Sequence, residues 1–127
     1  IADKIGARMA FLVTFSIQVV ALALVSTFAG IAAAFMILAI IIGWNYGSMF
    51  TLFPSTLISY FGASAQGSNY GLLFTSWGLA GFAGPFFGGY LADTTGSYAI
   101  PFYVAAALVA LGTILLFVAK PPEKKEA

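Results

Sequence analysis

Apolar residues run through this chain in four long stretches, broken by three short segments richer in Gly, Ser, Thr and Asp. The stretches cover 9–28, 32–60, 70–92 and 100–119. At ~1.5 Å per residue, ~20 helical residues cross the ~30 Å hydrocarbon layer of a bilayer. Each stretch is long enough, and each is free of Asp, Glu, Lys and Arg. The pattern predicts four membrane-spanning α-helices followed by a solvated tail over 120–127. Thr14, Ser16, Gln18, Ser26 and Thr27 are the polar members of the first stretch, and Thr113 is the polar member of the fourth. Those two helices are expected at the periphery.

Composition agrees with a membrane chain. Hydrophobic residues make up 61% and charged residues 7%, whereas soluble domains carry roughly 25% charge. Asp3, Lys4 and Arg8 lie at one end, and Lys120, Glu123, Lys124, Lys125 and Glu126 at the other. Asp93 is the single charge between them. Basic residues favour the cytoplasmic side. Four spans therefore predict a multi-pass protein of the cell membrane with both ends cytoplasmic. The chain opens without Met in a loop-like segment, so it is expected to be a piece of a longer polypeptide.

No Cys and no His occur, which removes disulfide and thiol chemistry and the usual zinc and haem ligands. No paired carboxylates occur, no Gly-rich loop is followed by Lys, and no base stands ready to activate Ser or Thr. The chain is not expected to be an enzyme, to hold a cofactor or metal, or to bind nucleic acid.

The third stretch is rich in Gly and contains Pro85. In water this composition makes a poor helix, but in lipid an unpaired peptide group costs several kcal/mol and the helix persists. Ser76, Ala80, Gly84, Gly88 and Ala92 recur every fourth residue and form one ridge of small side chains. Such a ridge lets another backbone approach closely, and a large side chain at Gly84 is expected to block that approach. Packing alone explains the ridge. The alternative is a helix that tilts against its neighbours, loosened at Pro85.

The second stretch changes character at Gly43-Trp44-Asn45-Tyr46-Gly47. Asn45 at bilayer depth needs a hydrogen-bond partner or water. Tyr46, Phe50 and Pro54 follow at i, i+4 and i+8 and share a face. Pro54 is expected to loosen the helix after Phe50. Phe74, Thr75 and Trp77 of the third stretch supply a possible facing wall. An aromatic cluster around one Asn serves core packing, or it lines a cavity with apolar walls and a few placed polar groups.

Several motifs carry a resemblance. Asp3-x-x-Gly6-x-Arg8 before a span resembles the cytoplasmic loop motif of the major facilitator superfamily. Phe53-Pro54, Asn69-Tyr70-Gly71, Phe74-Thr75-x-Trp77-Gly78, Gly84-Pro85 and Gly88-Gly89-x-x-x-Asp93-x-x-Gly96-x-Tyr98 are together similar to the oxalate/formate antiporter family and its monocarboxylate-transporter relatives. The resemblance implies an all-α integral membrane fold, with these four helices as helices nine to twelve of twelve. It implies that the second and third spans line a central cavity and that two halves rock about a midplane site. The lining candidates are then Asn45, Tyr46, Phe50, Phe74, Thr75 and Trp77. The implied partners are a small carboxylate, a proton as candidate coupled ion, the N-terminal remainder of the same transporter, and the bilayer. Some relatives place a Lys in the eleventh helix. Here no Lys or Arg lies between Arg8 and Lys120, and Trp77 occupies that neighbourhood. The departure implies a singly charged acid such as lactate, formate or acetate rather than oxalate. The alternatives are a facilitator for sugars, drugs or nucleosides, and a non-transporting four-helix scaffold subunit.

An anionic substrate needs a counter-charge that these spans do not contain. A basic residue at bilayer depth is therefore expected in a span upstream of Ile1, with Arg favoured because its fork matches a carboxylate. Sequencing upstream checks this: spans without Arg, Lys or His there would count against an anion.

Overall fold

The computed structural model describes residues 6–118, and Asp3, Lys4 and the charged tail lie outside them. Four α-helices follow one another: α1 (Ala7–Phe28), α2 (Ala32–Phe61), α3 (Gln66–Thr95) and α4 (Ala99–Val118), with one 3-10 turn at Ala63–Ala65. No strand occurs among the described residues. Helices α1, α2 and α4 are long and apolar enough to cross a membrane. Helix α3, at 30 residues, is ~45 Å long and matches the length requirement. Its many Gly, with Ser, Thr and Asn, make it less apolar than the other three.

The helix ends follow local chemistry. Gly62 and Gly96 have φ of 79° and 67°, which an L side chain adopts only with strain. Each closes its helix by donating its N–H to a carbonyl four residues back: Gly62 to Ile58 O and Gly96 to Ala92 O, both at 2.9 Å. Gly96 takes the left-handed form of a common helix stop. Pro54 and Pro85 lie inside helices that continue past them. The polar segment expected as a loop over 61–69 is shorter than its composition implies. Gln66-Gly67-Ser68-Asn69 already belongs to α3, because in a short connection helical hydrogen bonds satisfy the backbone better than an open loop.

Packing centres on α1, which meets α4 most extensively and α2 next, while α2 and α3 meet more sparsely. Arg8 Nη2 donates to Phe117 O at 2.7 Å, at the start of α1 and the end of α4. Thr27 Oγ1 and Tyr103 OH lie 3.3 Å apart at the opposite ends of the same pair. Helices α1 and α4 are thus antiparallel, and the described chain starts and finishes on one side of the bundle. Two apolar layers join α1 to α2. Ala10, Phe11 and Leu52 form one, with Phe15, Met49, Phe53 and Leu116 around it. Ala21, Val25 and Leu38 form the other, with Ile42 and Phe102. Among these four helices the peripheral position expected for α1 does not hold. It carries the most buried residues, including Val25 at 2% exposure.

The small ridge of α3 divides. Ala92 is buried, but a Cβ added at Gly84 or Gly88 would meet nothing within 4 Å. The close helix contact expected there is not made by any described residue. The helix contact at a glycine lies elsewhere: a Cβ at Gly112 of α4 would sit 3.5 Å from the Phe15 ring of α1, an ordinary van der Waals distance. One methyl group fits there, and a larger side chain has the Phe15 ring beside it.

Gly112→Leu is therefore expected to pry α4 from α1 and lower the melting temperature of the detergent-solubilised protein by several degrees, a loss of about 1–3 kcal/mol from overpacking. A Cβ at Gly84 meets nothing within 4 Å, so Gly84→Leu is expected to lower the melting temperature less than Gly112→Leu. Equal melting temperatures for Gly112→Leu and the parent would refute the α1–α4 approach.

Candidate functional site

Between their facing sides α2 and α3 leave a half-open cavity of about 320 Å³. Tyr46, Met49, Phe50 and Phe53 of α2 line it, with Tyr70, Leu73, Phe74, Ser76, Trp77 and Ala80 of α3. The i, i+4 steps from Tyr46 to Phe50 and from Tyr70 to Phe74 put paired rings on one face of each helix. Their centroids lie 5.4 Å and 4.7 Å apart. Trp77 joins the two pairs, with centroids 5.0 Å from Phe50, 5.2 Å from Phe74 and 6.3 Å from Tyr46. The Trp77 contacts with Phe50 and Phe74 are edge-to-face, at 88° and 78°, the arrangement that the ring quadrupoles favour.

Charged side chains are absent from the lining. The polar atoms available are the hydroxyls of Tyr46, Tyr70 and Ser76 and the indole N–H of Trp77. Ser76 already donates to Leu73 O at 2.7 Å. Among the described residues no group of three or more His, Cys, Asp or Glu comes together to hold a metal.

Asn45 and Thr75, expected as polar contacts of this cavity, are not in it. Asn45 is 5% exposed, and its side-chain amide points at α1. Nδ2 donates to Thr14 O and to Gln18 Oε1, each at 2.7 Å. Thr14 is buried as well, and its hydroxyl donates to Ala10 O at 2.7 Å. One residue turns a helix by ~100°, so Asn45 faces α1 while its neighbour Tyr46 faces the cavity. Thr75 lies on the other flank of α3. It lines an adjoining, more open recess of about 560 Å³ with Leu57, Phe61, Asn69, Leu72 and Leu79, which shares Leu73 and Ser76 with the cavity, and its hydroxyl donates to Gly71 O at 3.0 Å.

The packing ridge meets the cavity at its first two members. Ser76 and Ala80 form part of the lining, and their small size leaves room beside Trp77. Arg8 of the loop motif caps the last turn of α4 through Phe117 O, where the outermost carbonyls have no intrahelical donor and a cation is favoured. Gly6 precedes α1, and its carbonyl accepts the Ala10 N–H at 3.1 Å. Sequence reasoning missed Tyr70, Met49, Phe53 and Leu73 in the lining. The signal was present, since Tyr70 precedes Phe74 by four residues and Met49 precedes Phe53 by four. It also missed Gln18 as the partner of Asn45.

The family model of the Major Facilitator Superfamily matches residues 1–127. The chain belongs to the Major Facilitator Superfamily. It is 33% identical to the oxalate:formate antiporter of Oxalobacter formigenes over 97 residues, 76% of this chain and 23% of that protein. It is 28% identical to human monocarboxylate transporter 14 over 105 residues, 83% of this chain and 20% of that protein. A sequence named "Probable sulfoacetate transporter SauU" from Cupriavidus necator is 39% identical over 61 residues, 42% of this chain and 14% of that protein. The chain thus spans a quarter or less of the curated relatives it matches. Within this superfamily member the aromatic cavity and the Asn45 bridge occupy adjoining flanks of one helix, α2, and Met49 and Phe53 belong both to the cavity lining and to the packing against α1.

The bridge is testable by itself. Asn45→Leu and Gln18→Ala are each expected to lower stability by about 1 kcal/mol, as single interhelical hydrogen bonds in membrane proteins do. Their double variant should lose less than the sum, because the two side chains share a bond. Strictly additive losses in equilibrium unfolding would show that Asn45 and Gln18 do not interact.

Proposed function

We propose that α2 and α3 form one wall of the substrate cavity in a secondary transporter that moves a small organic anion, a monocarboxylate, by alternating access. The observation that carries this is the cavity itself: an uncharged aromatic pocket between two helices of a Major Facilitator Superfamily chain. The printed names of the relatives support the substrate class, since oxalate, formate, monocarboxylates and sulfoacetate are all small organic anions. In this proposal α1–α4 are helices nine to twelve of a twelve-helix protein in the cell membrane, and both ends of the segment are cytoplasmic. The N-terminal remainder supplies the basic residue that neutralises the carboxylate, and a proton is the candidate coupled ion.

The wall binds by shape and by a few hydrogen-bond donors rather than by charge. Tyr46 and Tyr70 hydroxyls and the Trp77 indole can each donate to an oxygen of the substrate. A site with apolar walls and sparse polar groups orients a small ligand and lets it leave again, as turnover in a transporter requires. Asn45 contributes indirectly in this scheme, by fixing the rotation of α2 that aims Tyr46 and Phe50 into the cavity.

Uptake by the full-length protein in liposomes tests the proposal. Tyr46→Ala and Phe74→Ala are expected to raise KM for a transported monocarboxylate about tenfold or more, whereas Phe117→Ala, at an exposed position of α4, should leave KM within about twofold of the parent. These effects correspond to ~1.4 and ~0.4 kcal/mol. Equal effects at all three positions would remove the cavity from the transport path. Uptake of a sugar or drug in place of any acid would overturn the substrate class.

A further inference from the structure

We infer that this wall selects its substrate by the apolar end of the molecule: it seats the hydrocarbon tail of a mono-acid, aliphatic or aromatic, and leaves the carboxylate to be met elsewhere. The inference rests on the proposed transport role of the cavity and names the chemistry the cavity would take.

Three observations lead to it. First, the lining offers no cation: the Tyr46 and Tyr70 hydroxyls and the Trp77 indole N–H can donate hydrogen bonds but cannot neutralise a charge, and Asn45 and Thr75 are committed elsewhere. Asn45 is bonded to Thr14 O and Gln18 Oε1, and the Thr75 hydroxyl is bonded to Gly71 O in a different recess. A carboxylate pressed against such a wall would lose its hydration without a partner for its charge. Second, the surface that does face the cavity is aromatic and aliphatic, with Trp77 edge to face with Phe50 and Phe74 at centroid distances of 5.0 Å and 5.2 Å. Such a surface suits an apolar guest. Third, the volume is about 320 Å³, at the lower end of the ~300–1,000 Å³ usual for small-molecule sites. Formate or oxalate would leave the wall largely uncovered, because neither has a hydrocarbon surface to bury. A branched aliphatic or phenyl tail covers it.

Each methylene buried on this wall should strengthen binding by about fourfold, the equivalent of ~0.8 kcal/mol. The test is competition against initial-rate uptake of a labelled mono-acid by the full-length protein in liposomes. Acetate, propionate, butyrate, isovalerate and phenylacetate serve as the competitor series at fixed pH. The inhibition constant is expected to fall about fourfold per added methylene until the wall is covered, with phenylacetate more than tenfold tighter than acetate. Trp77→Ala and, as a milder second variant, Phe50→Leu are expected to flatten this slope. Inhibition constants that stay level or rise with tail length, with mono-acid uptake intact, overturn the inference and leave the transport proposal standing. A slope that is present but unchanged in both variants also overturns it, since the tail then sits elsewhere. Failure of every acid in the series to compete overturns the inference and the transport proposal together.

Discussion

Inside a bilayer no water is available to the peptide groups, so each helix must satisfy its own backbone and every polar side chain must find a partner within reach. Most polar side chains in this chain meet that demand locally. The hydroxyls of Thr14, Ser48, Thr75, Thr94 and Thr113 each donate to a carbonyl four residues back on their own helix. Asn45 cannot be satisfied so simply, because its amide carries two donors. It reaches across to α1 and finds both acceptors there. The position of α2 against α1 follows, with Phe11 and Leu52 on one side of that bridge and Val25 and Leu38 on the other. The aromatic cavity then takes its place on the flank of α2 that the bridge leaves uncommitted.

This division of labour gives the bundle two kinds of interface. Between α1, α2 and α4 the contacts are dense, with a buried polar bridge and a Gly112–Phe15 approach. Between α2 and α3 they are sparse, and the space left over is the cavity. A sparse interface lined by rings can admit a guest without breaking hydrogen bonds. A dense one with buried polar partners resists separation. The same helix thus presents a structural flank and a binding flank, separated by a single step from Asn45 to Tyr46.

Much of the fold could be read from composition and turn chemistry. Gly62 and Gly96 mark helix ends because a positive φ is needed there, and the apolar stretches are helices because lipid allows little else. The residues 66–69 misled because Gly, Ser and Asn look like a loop, yet they continue the backbone ladder of α3. The ring pairs of the cavity were legible from i, i+4 spacing within each helix. The destination of Asn45 was not, because its direction depends on where α1 stands, and no local pattern encodes that. Gly112 gave no signal either: a single glycine in an Ala- and Leu-rich helix acquires meaning only when Phe15, far away in sequence, is placed against it.

The Arg8–Phe117 hydrogen bond spans 109 positions of sequence and closes the principal pairing of the bundle, α1 with α4. During synthesis α1 leaves the ribosome long before α4 exists. It can meet α2 early, through Asn45, but its more extensive partner arrives last. Until then the Gly112-facing side of α1, with Phe15 on it, lacks its α4 partner, and Arg8 lacks the Phe117 carbonyl. Maturation of the segment is therefore ordered in time. An early hairpin forms from neighbouring helices, and a late docking event converts it into a fastened ring, so a chain truncated before α4 would keep the hairpin and lose the clasp. Long-range closure of this kind is slow relative to local pairing, which places the slow stage in the assembly of these four helices at the docking of α4.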